Sequence, residues 1–357
     1  ADRVTAFMVQ LFRISNPSEA RGSTVTAREI LDRGAERIAS DLQDQPEVKA
    51  RLLDTMADVY RSLGLFGRSV ELRRQGLAVR RAALPPDHPD VGIAANFLAD
   101  TLRYNGQYAE AEPLFVESIA LLRKALGPDH AEIARALNNY GLLLYDRDQA
   151  AAAVPLHRES LAMRRKVLGA QSPEVANGLN NLGLALQETG AVTEALGMFR
   201  ESVEIRTRLL GPDHPLTWNS RHNLAVALGE AGQHAEAEAM LEAALAARRR
   251  LLGETHPDLV TTLESLGTVR RRAGRPEAGR GFLEEAVAMA RRLPPHPRLA
   301  RALHALGELR TALGDREGAR AALEEAVALR RAQFGDGHSS VRQSVAALEK
   351  VPTGPAR

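Results

Sequence analysis

The 357 residues carry 47 Lys and Arg against 45 Asp and Glu, and a formal net charge of +2 gives little electrostatic drive toward nucleic acid or anionic lipid. The absence of cysteine excludes disulfides, zinc–thiolate sites, iron–sulfur clusters and a thiol nucleophile, and leaves the redox compartment open. Hydrophobic residues at 44% can build a core, while the apolar runs, such as Gly141 to Tyr145, fall far short of a membrane span.

In chain order, residues 1–45 read as a divergent N-terminal capping repeat. Val4, Phe7, Met8, Leu11 and Phe12 share one helical face that Pro17 cuts short, and Thr26 with Glu29 forms a capping box for a second helix. No secretory signal is evident. The opening at Ala1 reads as a processed form or a piece of something longer. From residue 46 a period takes over. A turn residue recurs at Gly64, Gly106, Asp148, Gly190, Gly232 and Gly274, 42 residues apart, with Gly314 following after 40. Seven residues before each stands Ala57, Ala99, Gly141, Gly183, Ala225, Gly267 or Gly307. Twelve after stands Gly76, Ser118, Ser160, Ser202, Ala244, Ala286 or Ala326. Apolar residues three and four apart give each half-period a buried helical stripe, and the small residues mark where helices approach closely. The turn glycine supplies the positive φ that ends the first helix of a pair. The spacing thus predicts an all-α fold, a right-handed α-solenoid of antiparallel helix pairs. Seven repeats span 46–338, residues 339–350 form a capping helix, and 351–357 form a disordered tail.

The repeats are joined by segments such as Leu210-Gly211-Pro212-Asp213-His214-Pro215, in which Gly caps the outgoing helix and Pro opens the next. His88, His130, His214, His256, His296 and His338 recur there one repeat apart. Zinc ligands must converge on a point, so these read as linker histidines and no metal site is expected. Arginine clusters at Arg123-Lys124, Arg164-Arg165-Lys166, Arg248 to Arg250 and Arg330-Arg331 close second helices, where cations complement the macrodipole. Trp218 is expected to pack across a repeat junction. No catalytic motif or phosphate-cradling loop is present, and no cofactor is expected.

The small and apolar positions resemble the tetratricopeptide repeat. The 42-residue period, with Leu137-Asn138-Asn139-Tyr140-Gly141 and Leu179-Asn180-Asn181-Leu182-Gly183, resembles its kinesin-light-chain type over roughly residues 46–350. More narrowly, Ala6 to Phe12, Asn16 to Gly22, Thr26 to Gly34 and Gln45 to Val48 resemble the segment that follows the catalytic domain in certain bacterial serine/threonine protein kinases. That resemblance implies the sensory or docking part of such a kinase, whose own phosphate loop, His-Arg-Asp and Asp-Phe-Gly motifs are not in this chain.

The family resemblance implies that first helices line a concave groove. One row there is Asn139, Asn181 and Asn223, and the preceding slot adds Asn96, Asn138 and Asn180. Helical spacing sets Leu142, Leu184 and Val226 beside the first row, then Asp146, Glu188 and Glu230. An amide can pair a peptide N–H and C=O, and by resemblance the first asparagine row matches a family residue that holds peptide backbone. The aliphatic row offers apolar contact and the acidic row favours basic ligand side chains, so the expected partner is another protein or peptide with such groups. The chaperone-binding members of the family clamp a terminal carboxylate with groove lysines; here those places hold residues such as Asn138, Asn177, Asn180, Asn219 and His222, so capture of an acidic C-terminus is not expected. Three readings stay open. The chain is a scaffold holding an extended peptide, or the regulatory part of a kinase, or an array that self-assembles through Phe7, Met8, Leu11 and Phe12. For the asparagines a second reading stands beside binding, that they bond only one another or neighbouring helices. Neither nucleic acid nor membrane insertion is expected. The compartment stays open, with the cytoplasm favoured and the periplasmic side admitted for a membrane-spanning kinase.

Overall fold

The structure, a computed structural model, describes residues 31–35, 38, 42, 44–294 and 297–352. The N-terminal apolar face and most of the kinase-like segment therefore lie outside the described residues, as do His296 and most of the expected tail. The helices from residue 46 follow the period. They are α1 (Pro46–Ser62), α2 (Phe66–Ala83), α3 (Pro89–Tyr104), α4 (Tyr108–Leu126) and α5 (Ala131–Asp146). Next come α6 (Ala150–Leu168), α7 (Pro173–Glu188), α8 (Val192–Leu210), α9 (Pro215–Glu230) and α10 (His234–Leu252). The last are α11 (Pro257–Arg272), α12 (Pro276–Arg292), α13 (Arg298–Ala312), α14 (Arg316–Phe334) and a lone α15 (Ser339–Glu349). No strand occurs among the described residues.

Within a pair the turn is set by the recurring residue. Gly106, at φ 76°, lets the Gln107 amide reach back to the Leu102 carbonyl at 2.9 Å, and the Leu65–Tyr60 and Arg275–Arg270 bonds repeat this closure. Asp148 takes the same place at φ 60°, the one non-glycine residue in the left-handed region among those described. Between pairs, histidine does more than occupy the linker. Nδ1 of His88, His130, His214, His256 and His338 accepts the backbone N–H two residues on, at 3.1–3.2 Å, satisfying a donor that the helix itself leaves unpaired.

The described residues form two compact bodies. One runs up to Asp146 and includes Leu156–Val167, and the other comprises Arg147–Pro155 and everything from Leu168. In the first, Leu52, Leu53, Met56 and Tyr60 of α1 pack with Leu72 of α2 and with Ala35 and Ile38 ahead of α1. The Tyr60 hydroxyl donates to Asp32 at 2.5 Å. Phe115 of α4 fills the next layer with Val91, Leu98 and Leu102 of α3. In the second body Phe199 lies against Gly183, where a Cβ would stand 2.6 Å from the ring. Trp218, expected to pack across a repeat junction, instead packs on Ala244 and Ala247 of α10, inside its own helix pair. Val351, expected to open the tail, is instead buried beside Ala319 and Leu323, because α15 ends by turning its last apolar residue onto α14.

Serines of the small-residue series tie the two helices of a pair together. The buried Ser118 and Ser160 hydroxyls donate to the Gly92 and Ala134 carbonyls at 2.7 and 2.6 Å in the first body. Ser202 donates to Ala176 at 3.0 Å in the second. Each bond uses a carbonyl near the start of the first helix, so the small residue is both a spacer and a peg.

Candidate functional site

In each body the sequence-marked rows occupy the first helices. In the first, Asn96 and Asn138 are buried while Asn139 and Leu142 are half-buried. The Asn139 amide nitrogen donates to the Asn96 carbonyl oxygen at 3.4 Å, from α5 to α3. In the second, Asn180, Asn181, Leu184, Asn223 and Val226 are half-buried, and Asn223 donates to Asn180 at 2.8 Å, from α9 to α7. His222 and Ser265 continue the same spacing at 3.5 Å. All three contacts join residues 43 apart, so the row expected along one stripe is a diagonal in which each repeat reaches back to its predecessor.

The acidic row is engaged by the protein's own cations. Asp146 accepts from Arg103 at 2.6 Å, and burial raises its carboxyl above the usual range against the pull of that guanidinium. Glu230 accepts from Gln187 at 2.7 Å and lies 3.4 Å from Arg272; both it and Glu188 are exposed. The charges on which an attraction for basic ligand groups was expected to rest are therefore largely answered from within.

The arginines give a further departure. Arg248, from one of the helix-closing clusters, and Arg206, outside them, turn inward. Each is about 95% buried and reaches into the following pair. Arg206 donates to the Leu216 carbonyl at 2.8 Å, the Ser220 hydroxyl at 2.8 Å and the Asn177 amide oxygen at 2.6 Å. Arg248 repeats this on Asp258, Thr262 and Asn219 at 3.2, 2.6 and 2.8 Å. Arg330 does the same on Ser340 and Ser344 at 2.5 and 2.7 Å. The hydroxyl always stands 14 residues after the arginine and the carbonyl ten. That coupled register was available in the sequence, but a cluster of exposed-looking arginines masked it. Asn177 and Asn219, which stand where a carboxylate clamp would need lysines, are thereby committed to arginine.

The tetratricopeptide repeat pattern matches residues 48–124, 90–166, 174–250, 222–292 and 258–332. The chain belongs to the tetratricopeptide repeat family. No curated protein matches it. Among solved structures, a tetratricopeptide repeat protein from Parabacteroides merdae superposes with a TM-score of 0.59 at 14% identity, over 85% of this chain and 98% of that one. The apo form of RapI gives a TM-score of 0.60 at 12% identity, over 98% of both chains. A protein described as a kinesin light chain with nearly identical TPR-like repeats, from Podosopora anserina, shares 26% identity over 58% of this chain and 99% of that one, with a TM-score of 0.46. The first two establish the all-α tetratricopeptide fold and nothing about what is bound. Tetratricopeptide arrays are protein-interaction scaffolds, and the repeat places this chain among them. No helix of the described residues is long and apolar enough to cross a membrane.

Proposed function

We propose that the tetratricopeptide chain holds an extended segment of a partner protein along the first-helix face of one of its bodies. The observation that carries this is the half-buried amide and aliphatic surface of α7 and α9, where Asn180 and Asn223 are joined at 2.8 Å beside Leu184 and Val226. A carboxamide has two donor hydrogens and an acceptor oxygen, so one bond between two of them leaves most of their capacity for a peptide backbone. Asn139 and Leu142 offer the counterpart on α5, with Asn96 and Asn138 buried behind them, and Asn181 adds a further amide on α7. The aliphatic groups would take apolar side chains. Basic side chains would have to compete with Arg103 for Asp146 and with Arg272 for Glu230, and Glu188 is the acid best placed to receive one.

The test compares the wild-type chain with a variant in which Asn139, Asn181 and Asn223 are all alanine, as baits on a lysate of the source organism. Captured proteins are identified by mass spectrometry, and far-UV circular dichroism checks that helicity is unchanged. A protein retained by the wild type and lost from the variant supports the reading. Identical captures by both sink it.

A further inference from the structure

A second feature of the same body borders the amide row, sharing Asn180 and Asn223 with it, but is marked by its arginines. A cavity of about 370 Å³ opens among α9, α10, α11 and the start of α13, with Arg248, Arg298, Arg301, Asn219, Asn223 and Asp258 in its lining. Its charges do not balance. Arg298 lies 3.8 Å from Asp258 and Arg301 donates to Glu264 at 2.6 Å. Arg248 meets only neutral acceptors, a carbonyl, a hydroxyl and an amide oxygen. Behind the cavity Arg330 likewise donates to a carbonyl and a hydroxyl. Glu308, the next carboxylate, is taken by Arg271 at 2.7 Å. His222, in the lining from α9, is buried, and burial together with Arg248 and Arg301 pushes its pKa down to about 3, so it stays neutral. His304 on α13 is neutral for similar reasons, its pKa lowered to about 4 by burial and then by Arg330. Arg248, Arg298, Arg301 and Arg330 thus face Asp258 and Glu264, two positive charges in excess.

Cations gathered in a partly desolvated site repel one another and favour an anion that restores neutrality. The strain is legible in the groups themselves. Arg298 is held below the usual arginine range by burial and by Arg301, and Arg330 is pushed down to about 10 by burial and by the same neighbour. Guanidinium forks and carboxamide N–H groups are also the donors that match the oxygens of a phosphoryl group. We propose that this cavity binds a doubly charged oxyanion, a phosphate monoester or free phosphate. A single carboxylate would leave one excess charge unanswered, whereas a dianion answers both.

The experiment is calorimetric titration of the full chain with inorganic phosphate in chloride buffer at neutral pH, followed by a phosphoserine peptide and its unphosphorylated twin. The comparison is with a double variant, Arg298→Gln and Arg301→Gln, and with a control, Arg74→Gln and Arg81→Gln, on the other body. Saturable phosphate binding that falls at least tenfold in the first variant and survives in the control is the expected result. Phosphopeptide binding tighter than that of phosphate, with the twin inert, assigns the phosphoryl group to a protein ligand. Equal affinities assign it to a free phosphate. No saturable binding of phosphate or phosphopeptide, or affinity unchanged by the double variant, overturns the proposal. Equal binding of both peptides also overturns it and leaves the amide rows as the site, whereas loss of the amide-row reading would leave the phosphate titration untouched.

Discussion

His157 stands where the neighbouring repeats place Phe115 and Phe199, and its ring fills the space that Gly141 leaves, a Cβ there falling 2.7 Å from it. Both ring nitrogens are buried without a hydrogen-bond partner. Burial, and secondarily Arg164, lowers its pKa from 6.5 to about 4. The unfolded chain therefore binds more protons between those values. The histidine's contribution to stability is complete above about pH 6.5 and is lost as pH falls toward 4, a swing on the order of 3 kcal/mol. His157→Phe, the residue of its repeat counterparts, is expected to raise the urea midpoint at pH 7 and to flatten its decline between pH 6.5 and 4.5. An unaltered pH profile would rule out the buried imidazole as the source. The inward arginines make the second prediction at this scale. Arg206→Ala leaves Ser220 and Asn177 without their donor and should cost about 2 kcal/mol. Arg123→Ala removes an exposed pair with Glu159, 46% accessible on both sides, and should cost under about 0.5 kcal/mol in the same denaturant titration. Both arginines look alike in the sequence, each near the end of a second helix. What distinguishes Arg206 is its place in the period, which it shares with the buried Arg164 and Arg248, whereas Arg123 stands one residue later.

At the scale of the helix pair, most of what the period promised is present, since the positive-φ turns and small-residue contacts follow from backbone geometry that a sequence must obey. The histidine caps were less legible, because His is not among the usual N-cap residues and its role emerges only once Nδ1 is seen on the amide two residues ahead. Glycine separates packing from propensity. Gly267 on α11 faces Leu283, whose Cγ would lie 2.4 Å from an added Cβ, with the Gly279 carbonyl at 3.0 Å. Gly281 on α12 has nothing within 4 Å. Alanine is worth up to about 1 kcal/mol over glycine in either helix, but at Gly267 overpacking costs about 1–3 kcal/mol and wins. Gly267→Ala should lower the thermal midpoint and Gly281→Ala should raise it. The same sign for both would mean that helix propensity, not the approach of α11 to α12, governs these sites.

For the whole chain, the repeat period runs through α6 without a break, yet the described residues divide there into two bodies. Nothing in the 42-residue spacing signals that division, because periodicity records how each pair is built. What one pair requires of the next is visible at the C-terminal end. A terminal pair exposes its apolar face unless something covers it, and α15 does so here, with Val351 on Ala319 and Leu323. The same helix supplies the Ser340 carbonyl and Ser344 hydroxyl that hold Arg330. Ending the chain after Gly337 would uncover that face and strip Arg330 of its acceptors, the lost apolar burial alone costing roughly 1–3 kcal/mol. Since each pair contacts mainly its neighbours, the damage should stay local. Hydrogen exchange is expected to show α13 and α14 losing protection by orders of magnitude while α1 to α4 keep theirs. Undiminished protection in α14 would show that α15 is dispensable as a lid, and that the last pair is stabilised from α12 alone.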